Sequence, residues 1–254
     1  MKPLLGKVAF VTGASRGIGR AIAEAFAVAG ADVAVNFHTQ VDAAEEVAKT
    51  VRAAGRRAML CPGDVSDQNA VEAMVENVVR EFGQLDIAVA NAAYSKRELF
   101  HTVDLSEFRR SIDVSMWGAF YVFRDAARQM ISQGCGGNLL GISSPHAFIP
   151  MQRSMAYNMA KAAMDQMART AALELCEHRI RVNLIHPGWI DTPGERAFTE
   201  PDKIAAAAAK LPWGRQGRPE EIARAALFLC EPASDYITGS SLLVDGGFTL
   251  ARGV

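Results

Sequence analysis

Cysteine is scarce in this 254-residue chain: four stand at positions 61, 135, 176 and 230. They are too far apart for a zinc pair or a C-x-x-C redox motif and too few for a disulfide framework, so reduced thiols and no metal site are expected. Unbalanced charge is missing too. With 27 Lys and Arg against 28 Asp and Glu, the formal net charge is −1 and there is no basic run. That speaks against nucleic acid or an anionic membrane as the main partner. No stretch approaches the roughly 20 apolar residues that span a bilayer. The opening MKPLLGKVAFVTG runs from a short apolar segment into a glycine turn, not a small-residue cleavage site. A cytoplasmic protein with no membrane partner is the expectation. Repeats and low-complexity segments are absent as well, so one domain over 1–254 is expected.

Half of the residues are hydrophobic, and they are distributed in short runs. VAFVTG (8–13), DVAVNF (32–37), RAMLC (57–61), LDIAVA (85–90), NLLGIS (138–143), RVNLI (181–185) and SLLVDG (241–246) are continuous rather than alternating. Such runs suit strands buried on both faces of a parallel sheet. Helical patterns lie between them. In one, Val71, Met74, Val75, Val78, Val79 and Phe82 form a one-sided apolar stripe, with Asp67 placed to cap its start and Gly83 to end it. Strand and helix in alternation predict an α/β doubly wound, Rossmann-type fold with a seven-stranded parallel sheet flanked by helices. The irregular Pro-, Gly- and Ala-rich stretch at about 191–211 is the candidate for a substrate lid.

The first run leads into Gly13-Ala14-Ser15-Arg16-Gly17-Ile18-Gly19 and then a helical pattern. Glycines at such a turn let backbone N–H groups approach a pyrophosphate at a helix N-terminus. An acid at the end of the second strand would bind the ribose 2′-hydroxyl of NAD; the chain has Asn36-Phe37-His38-Thr39 there, while Arg16 in the turn could pair with a 2′-phosphate. NADP is therefore the preferred cofactor, with NAD possible.

Tyr157 and Lys161 are four positions apart in a helical stretch. Spaced so, they share one face, and a cation near a phenol favours the phenolate. Taken alone, the pair is also what an ordinary solvated helix face carries. Together with Asn91-Ala92-Ala93, Ser144 thirteen residues before Tyr157, Pro187-Gly188 and the closing GRPEEIARAALFL and YITGSSLLVDGG segments, the chain resembles the short-chain dehydrogenase/reductase family over nearly its whole length. The resemblance implies hydride exchange between NAD(P) and the carbon of a small-molecule alcohol or ketone. It implies Tyr157 as acid/base, Ser144 as hydrogen-bond partner of the substrate oxygen, and Lys161 as the group that lowers the tyrosine pKa and holds the nicotinamide ribose. It also implies cofactor contacts from Asp64 and Val65 in the GDV segment, from Asn91 and Ala92, and from Pro187, Gly188, Ile190 and Thr192.

Two positions depart from the family pattern. Ser115, in Val114-Ser115, replaces an asparagine that ordinarily binds a relay water, and Ala90-Asn91-Ala92-Ala93 replaces N-N-A-G. Serine can still hold water through its hydroxyl. ISSPHAFIP, IDTPGERAFTEPDKI and DGGFTL are similar to bacterial glucose 1-dehydrogenases, whereas NFHTQVDAAEEV is similar to 3-oxoacyl-acyl-carrier-protein reductases. Candidate pocket groups are His146, Gln152, Arg153, Asn158, Trp189 and Glu195, mixed with Phe148, Met151 and the Met155/Met159 pair, which reads as core filling. Lys96 and Arg97 could meet an acidic carrier protein. A catalytically weak dinucleotide-binding regulator is the reading from another class. The small, apolar helices at about 111–133 and 154–176 fit the homotetramer that the resemblance implies.

Overall fold

The structure, a computed structural model, describes residues 2–196 and 201–252. Seven strands, β1 (Val8–Val11), β2 (Asp32–Phe37), β3 (Ala58–Pro62), β4 (Ile87–Ala90), β5 (Gly137–Ile142), β6 (Ile180–Pro187) and β7 (Ser241–Val244), form one sheet in the order β3-β2-β1-β4-β5-β6-β7. Every neighbouring pair is parallel. β1, β2, β4 and β6 are buried at every position, which is why their runs lack alternation.

On one face lie α1 (Gly17–Val28), α2 (Val41–Ala53) and, near the chain end, α9 (Pro219–Cys230). Phe26, Val47 and Ile222 anchor that layer on the sheet. The other face carries α3 (Gln68–Phe82), α4 (Leu105–Ile112), α5 (Gly118–Gln133) and α6 (Met155–Leu175) over Phe10, Leu139 and Val182. The short α7 (Pro193–Arg196) and α8 (Pro201–Ala208) fall in the segment 191–211; its residues 197–200 lie outside the described residues. The stripe expected for α3 is buried apart from Val79, which packs against the core from the edge. Asp67 accepts hydrogen bonds from the Asn69 and Ala70 amides, and Gly83 ends the helix with a left-handed φ of 87°.

The chain order reverses between β1 and β4, so their carboxyl ends splay apart and open a crevice. β5 and α6 border it. Between α4 and α5, residues Asp113–Trp117 form a π turn, with Ser115 at its centre.

Burial divides the thiols. Cys61 and Cys230 are buried, and desolvation pushes both thiols up to about 12, with Arg181 only partly offsetting the effect at Cys230. Cys135 and Cys176 are exposed. An aromatic disulfide reagent should titrate two thiols promptly and the other two only on unfolding; four prompt thiols would contradict this packing.

Candidate active site

The glycine turn after β1 is fixed by side chains rather than left loose. Asn36 accepts from the Gly13 amide at 3.0 Å and donates to the carbonyls of Cys61 (3.0 Å) and Gly63 (3.1 Å). Asn36 is 2% exposed, and its carboxamide braces the turn. Asn91 likewise donates to the carbonyls of Thr12 (2.8 Å) and Gly13 (3.2 Å), while the Thr12 hydroxyl bonds to the Val89 carbonyl and receives the Asn91 and Ala92 amides. Two residues expected as cofactor contacts thus also brace the turn, tying β1 to β2 and β4.

Gly13 and Gly17 have φ of +59° and +57°, the left-handed region that glycine reaches at no steric cost. At Gly19 a Cβ would lie 2.5 Å from both Asn91 Nδ2 and the Gly13 carbonyl oxygen. No side chain caps the start of α1, so its first amides open into the groove. That groove has a volume of about 490 Å³ and is walled by the turn, by Asn36 to Gln40, by Gly63 to Val65, by Asn91 to Tyr94, and by Thr192 to Gly194. A left-handed glycine cradle, uncapped helix amides and a long cleft fit a dinucleotide.

At the far end, Arg16 is exposed and makes no ion pair among the described residues. His38 is exposed opposite, 3.8 Å from Asp64. Desolvation works against the charged form of Asp64, but its bonds from Ser66 and the Arg110 guanidinium, at 2.8 Å, hold the carboxyl below its usual range. Arg110, from α4, was not singled out in the sequence; no local pattern links it to residue 64. Val65 is buried beside Gly118, where a Cβ would lie 2.7 Å from Val65 Cγ2. Ser15 is buried in the turn, and Ile18 and Ala92 line the groove. Across the crevice, Pro187 ends β6, the Gly188 amide bonds to the Val244 carbonyl, and Ile190 is buried and bridges to Gly217. Thr192 faces Gly17, whose Cβ would meet its side chain at 3.4 Å.

Ser144, Tyr157 and Lys161 converge at the end of β5. Ser144 is 8% exposed and its hydroxyl accepts from the His146 amide at 3.3 Å. The Lys161 ammonium, 1% exposed, lies 5.4 Å from the centre of the Tyr157 ring and donates to the Ile142 carbonyl at 2.6 Å. A solvated helix pair is therefore ruled out by burial. Desolvation brings the Lys161 pKa down to about 8, with Asp165 pulling the other way. The Tyr157 phenol moves the other way in the protein alone. Burial and then the Glu195 carboxylate push the phenol upward, and the hydrogen bond with Ser144 and the charge of Arg97 offset only part of this. Arg97 meets Glu195 at 3.0 Å across the mouth. The His146 ring stands edge-on to Tyr157 at 5.2 Å and bonds to Asn158 at 2.8 Å.

Ser115 is fully buried; its hydroxyl donates to the Tyr94 carbonyl and accepts from the Tyr94 amide, both at 3.0 Å. Its single proton is committed to the backbone, so donation to a relay water, expected from the hydroxyl's chemistry, is not available in this geometry. Met155 and Met159 are 39% and 51% exposed, which corrects the reading of that pair as core filling: their spacing lays a stripe along the outer side of α6. Lys96 is held between Glu98 (3.7 Å) and Glu107 (3.4 Å).

Residues 13–249 match the family model described as enoyl-(acyl carrier protein) reductase. The chain is 36% identical over 250 residues to glucose 1-dehydrogenase 2 of Bacillus subtilis, covering 98% of this chain and 97% of that protein. It is also 36% identical over 248 residues to L-rhamnose 1-dehydrogenase (NAD(P)(+)) of a Sphingomonas species, covering 97% and 98%. A solved short-chain type dehydrogenase/reductase from Mycobacterium marinum superposes with a TM-score of 0.90 at 39% identity, over 97% of this chain and 96% of the other. Together with the parallel sheet, the glycine cradle and the convergence of serine, tyrosine and lysine, these matches establish that the chain belongs to the short-chain dehydrogenase/reductase family, as an NAD(P)-dependent oxidoreductase acting on CH–OH groups.

Proposed function

We propose that this enzyme exchanges hydride between NADP(H) and a small, polar, sugar-class alcohol or its carbonyl product. The observation that carries the substrate reading is the polarity around Tyr157: the Arg97–Glu195 ion pair, His146 and Asn158 surround a phenol held at the end of β5. These half-buried and exposed groups can pair with the hydroxyls of a polar ligand, which an acyl chain does not offer. The sugar names of two relatives support the same class.

When bound, the nicotinamide dinucleotide supplies or takes the hydride. Gly13, Ser15, Gly17, Ile18 and the amides of α1 hold its pyrophosphate, and Lys161 holds the ribose. Arg16, free of an acid at the end of β2, favours NADP over NAD, with His38 opposite. In carbonyl reduction, negative charge develops on the substrate oxygen. Ser144 donates a hydrogen bond to that oxygen and Tyr157 delivers the proton. The Tyr157 phenol, pushed upward in the protein alone, carries the proton needed for the acid role. Alcohol oxidation would need that hydroxyl ionised first, so that the phenolate takes the alcohol proton as the hydride leaves for the cofactor. At the near end of the expected lid, Glu195 pairs with Arg97.

The fatty-acyl reading loses its basic docking pair, because Lys96 and Arg97 are already bonded to carboxylates of this chain. Trp117 and Phe120, packed edge-on, and the exposed Met155 and Met159 on α6 are apolar surface suited to homotetramer formation. The free thiols suit a cytoplasmic setting. Dissociation constants for NADP and NAD, followed by rates with glucose, L-rhamnose and an acetoacetyl thioester, test the reading. Tighter NADP, with polyol rates at least tenfold above the thioester rate, is expected; tighter NAD or thioester preference would overturn the corresponding half.

A further inference from the structure

Beneath Ser144 lies a second set of polar side chains that the hydride chemistry does not use. Asp165 sits on α6 one turn beyond Lys161, which is itself one turn beyond Tyr157, so the three residues share one helix face. Asp165 accepts the Ser143 hydroxyl at 2.6 Å, and its other oxygen lies 3.2 Å from Nε2 of His186 on β6. His186 Nδ1 lies 2.9 Å from the carbonyl oxygen of Ser144. Ser143, Asp165 and His186 are 3%, 7% and 2% exposed.

Counting hydrogens limits what this cluster can be. A carbonyl offers no hydrogen, so Nδ1 of His186 is a donor. Nε2 lies 3.2 Å from the second oxygen of Asp165, so the ring is clamped between the Ser144 main chain and α6. The cluster touches the candidate centre at two points: it fixes the main-chain carbonyl of Ser144, and it places a carboxyl group one helical turn from the Lys161 ammonium.

We propose that Asp165 and His186 are positioning residues for the Ser144–Tyr157–Lys161 centre, holding Ser144 at the strand end and keeping Lys161 charged. The proposal rests on the reading of those three as the reacting set. With the Ser115 hydroxyl bound to Tyr94, the support for Lys161 comes from below, through Asp165, rather than from the π turn. The charged or titratable groups facing the centre are Tyr157, Lys161 and Asp165 on α6, His186 on β6, His146 after β5, and the Arg97–Glu195 pair at the mouth. Removing the Asp165 charge leaves burial unopposed at Lys161, so its ammonium is lost at lower pH and the alkaline limb of activity moves down.

Asp165→Asn keeps the acceptor for Ser143 and removes the charge. It is expected to cut kcat/KM about tenfold and to shift the alkaline limb of the pH profile down by about one unit, with NADP affinity nearly unchanged. His186→Gln, read in parallel in case the first variant does not fold, should lower kcat at an unchanged NADP Kd. Nitrogen-15 NMR of the wild-type protein without cofactor should show a hydrogen on Nδ1 of His186, coupled across the hydrogen bond to Ser144. Wild-type rates and pH profiles in whichever variants fold, or a His186 ring with no hydrogen on Nδ1, would overturn the proposal. The NMR arm needs no turnover, so it separates failure of this dyad from failure of the hydride-exchange reading.

Discussion

Tyr157→Phe should lower kcat by about a thousandfold while leaving NADP binding within about twofold of wild type, the scale of loss that removing a general acid brings. The substitution deletes one oxygen and preserves the ring against His146 and above Lys161. Ser144 still offers a hydrogen bond to the substrate oxygen, so residual activity above background is expected, but no neighbouring hydroxyl replaces the lost proton. Initial rates with isothermal calorimetry for NADP decide the matter. Rates within tenfold of wild type would remove Tyr157 from the acid role, and loss of NADP binding would show that the substitution damaged the fold instead.

Gly19→Ala should be the most damaging single change in the cofactor cradle. The added methyl would sit 2.5 Å from Asn91 Nδ2 and from the Gly13 carbonyl oxygen, closer than side chains tolerate. Neither neighbour can give way cheaply: Asn91 is bonded to Thr12 and Gly13, and Gly13 is held by Asn36. Relief requires α1 to move away from the turn, which takes its amides off the pyrophosphate. Overpacking of this kind costs about 2–3 kcal/mol, so the melting temperature should drop by about 5–10 °C. Losing two charge-assisted hydrogen bonds corresponds to about a hundredfold in Kd for NADP. Calorimetric melting and NADP titration read the two effects separately; an unchanged melting temperature would mean that the turn is looser than its bonds imply.

Much of the fold was legible because continuous apolar runs leave no option but double burial. All seven runs became strands, with ends displaced by only a few residues, and Asp67 and Gly83 bound α3 as their chemistry requires. The glycine turn and the Tyr157–Lys161 spacing were legible for the same local reason. What escaped depends on contacts between distant residues. Asn36 looked like a cofactor-facing residue at the end of β2, yet three backbone groups from two other segments claim its carboxamide. Ser115 was read as a relay position, but the π turn that directs its hydroxyl to Tyr94 leaves no mark in the sequence. Asp165 carried a usable signal, the i+4 continuation of the Tyr157–Lys161 face, whereas His186 is recognisable only once β6 lies beside β5. Arg97 and Lys96 looked available to a partner until their carboxylate partners came into view.

The most direct test of the central claim is reduced-nicotinamide absorbance, recorded with purified enzyme and NADP(H) against a panel of polyols in the oxidising direction and ketones in the reducing direction. The account predicts turnover with at least one polar alcohol or its carbonyl product, lost when Tyr157 becomes phenylalanine. Tight dinucleotide binding with no absorbance change across the whole panel would contradict it and leave a binding protein built on the same cradle.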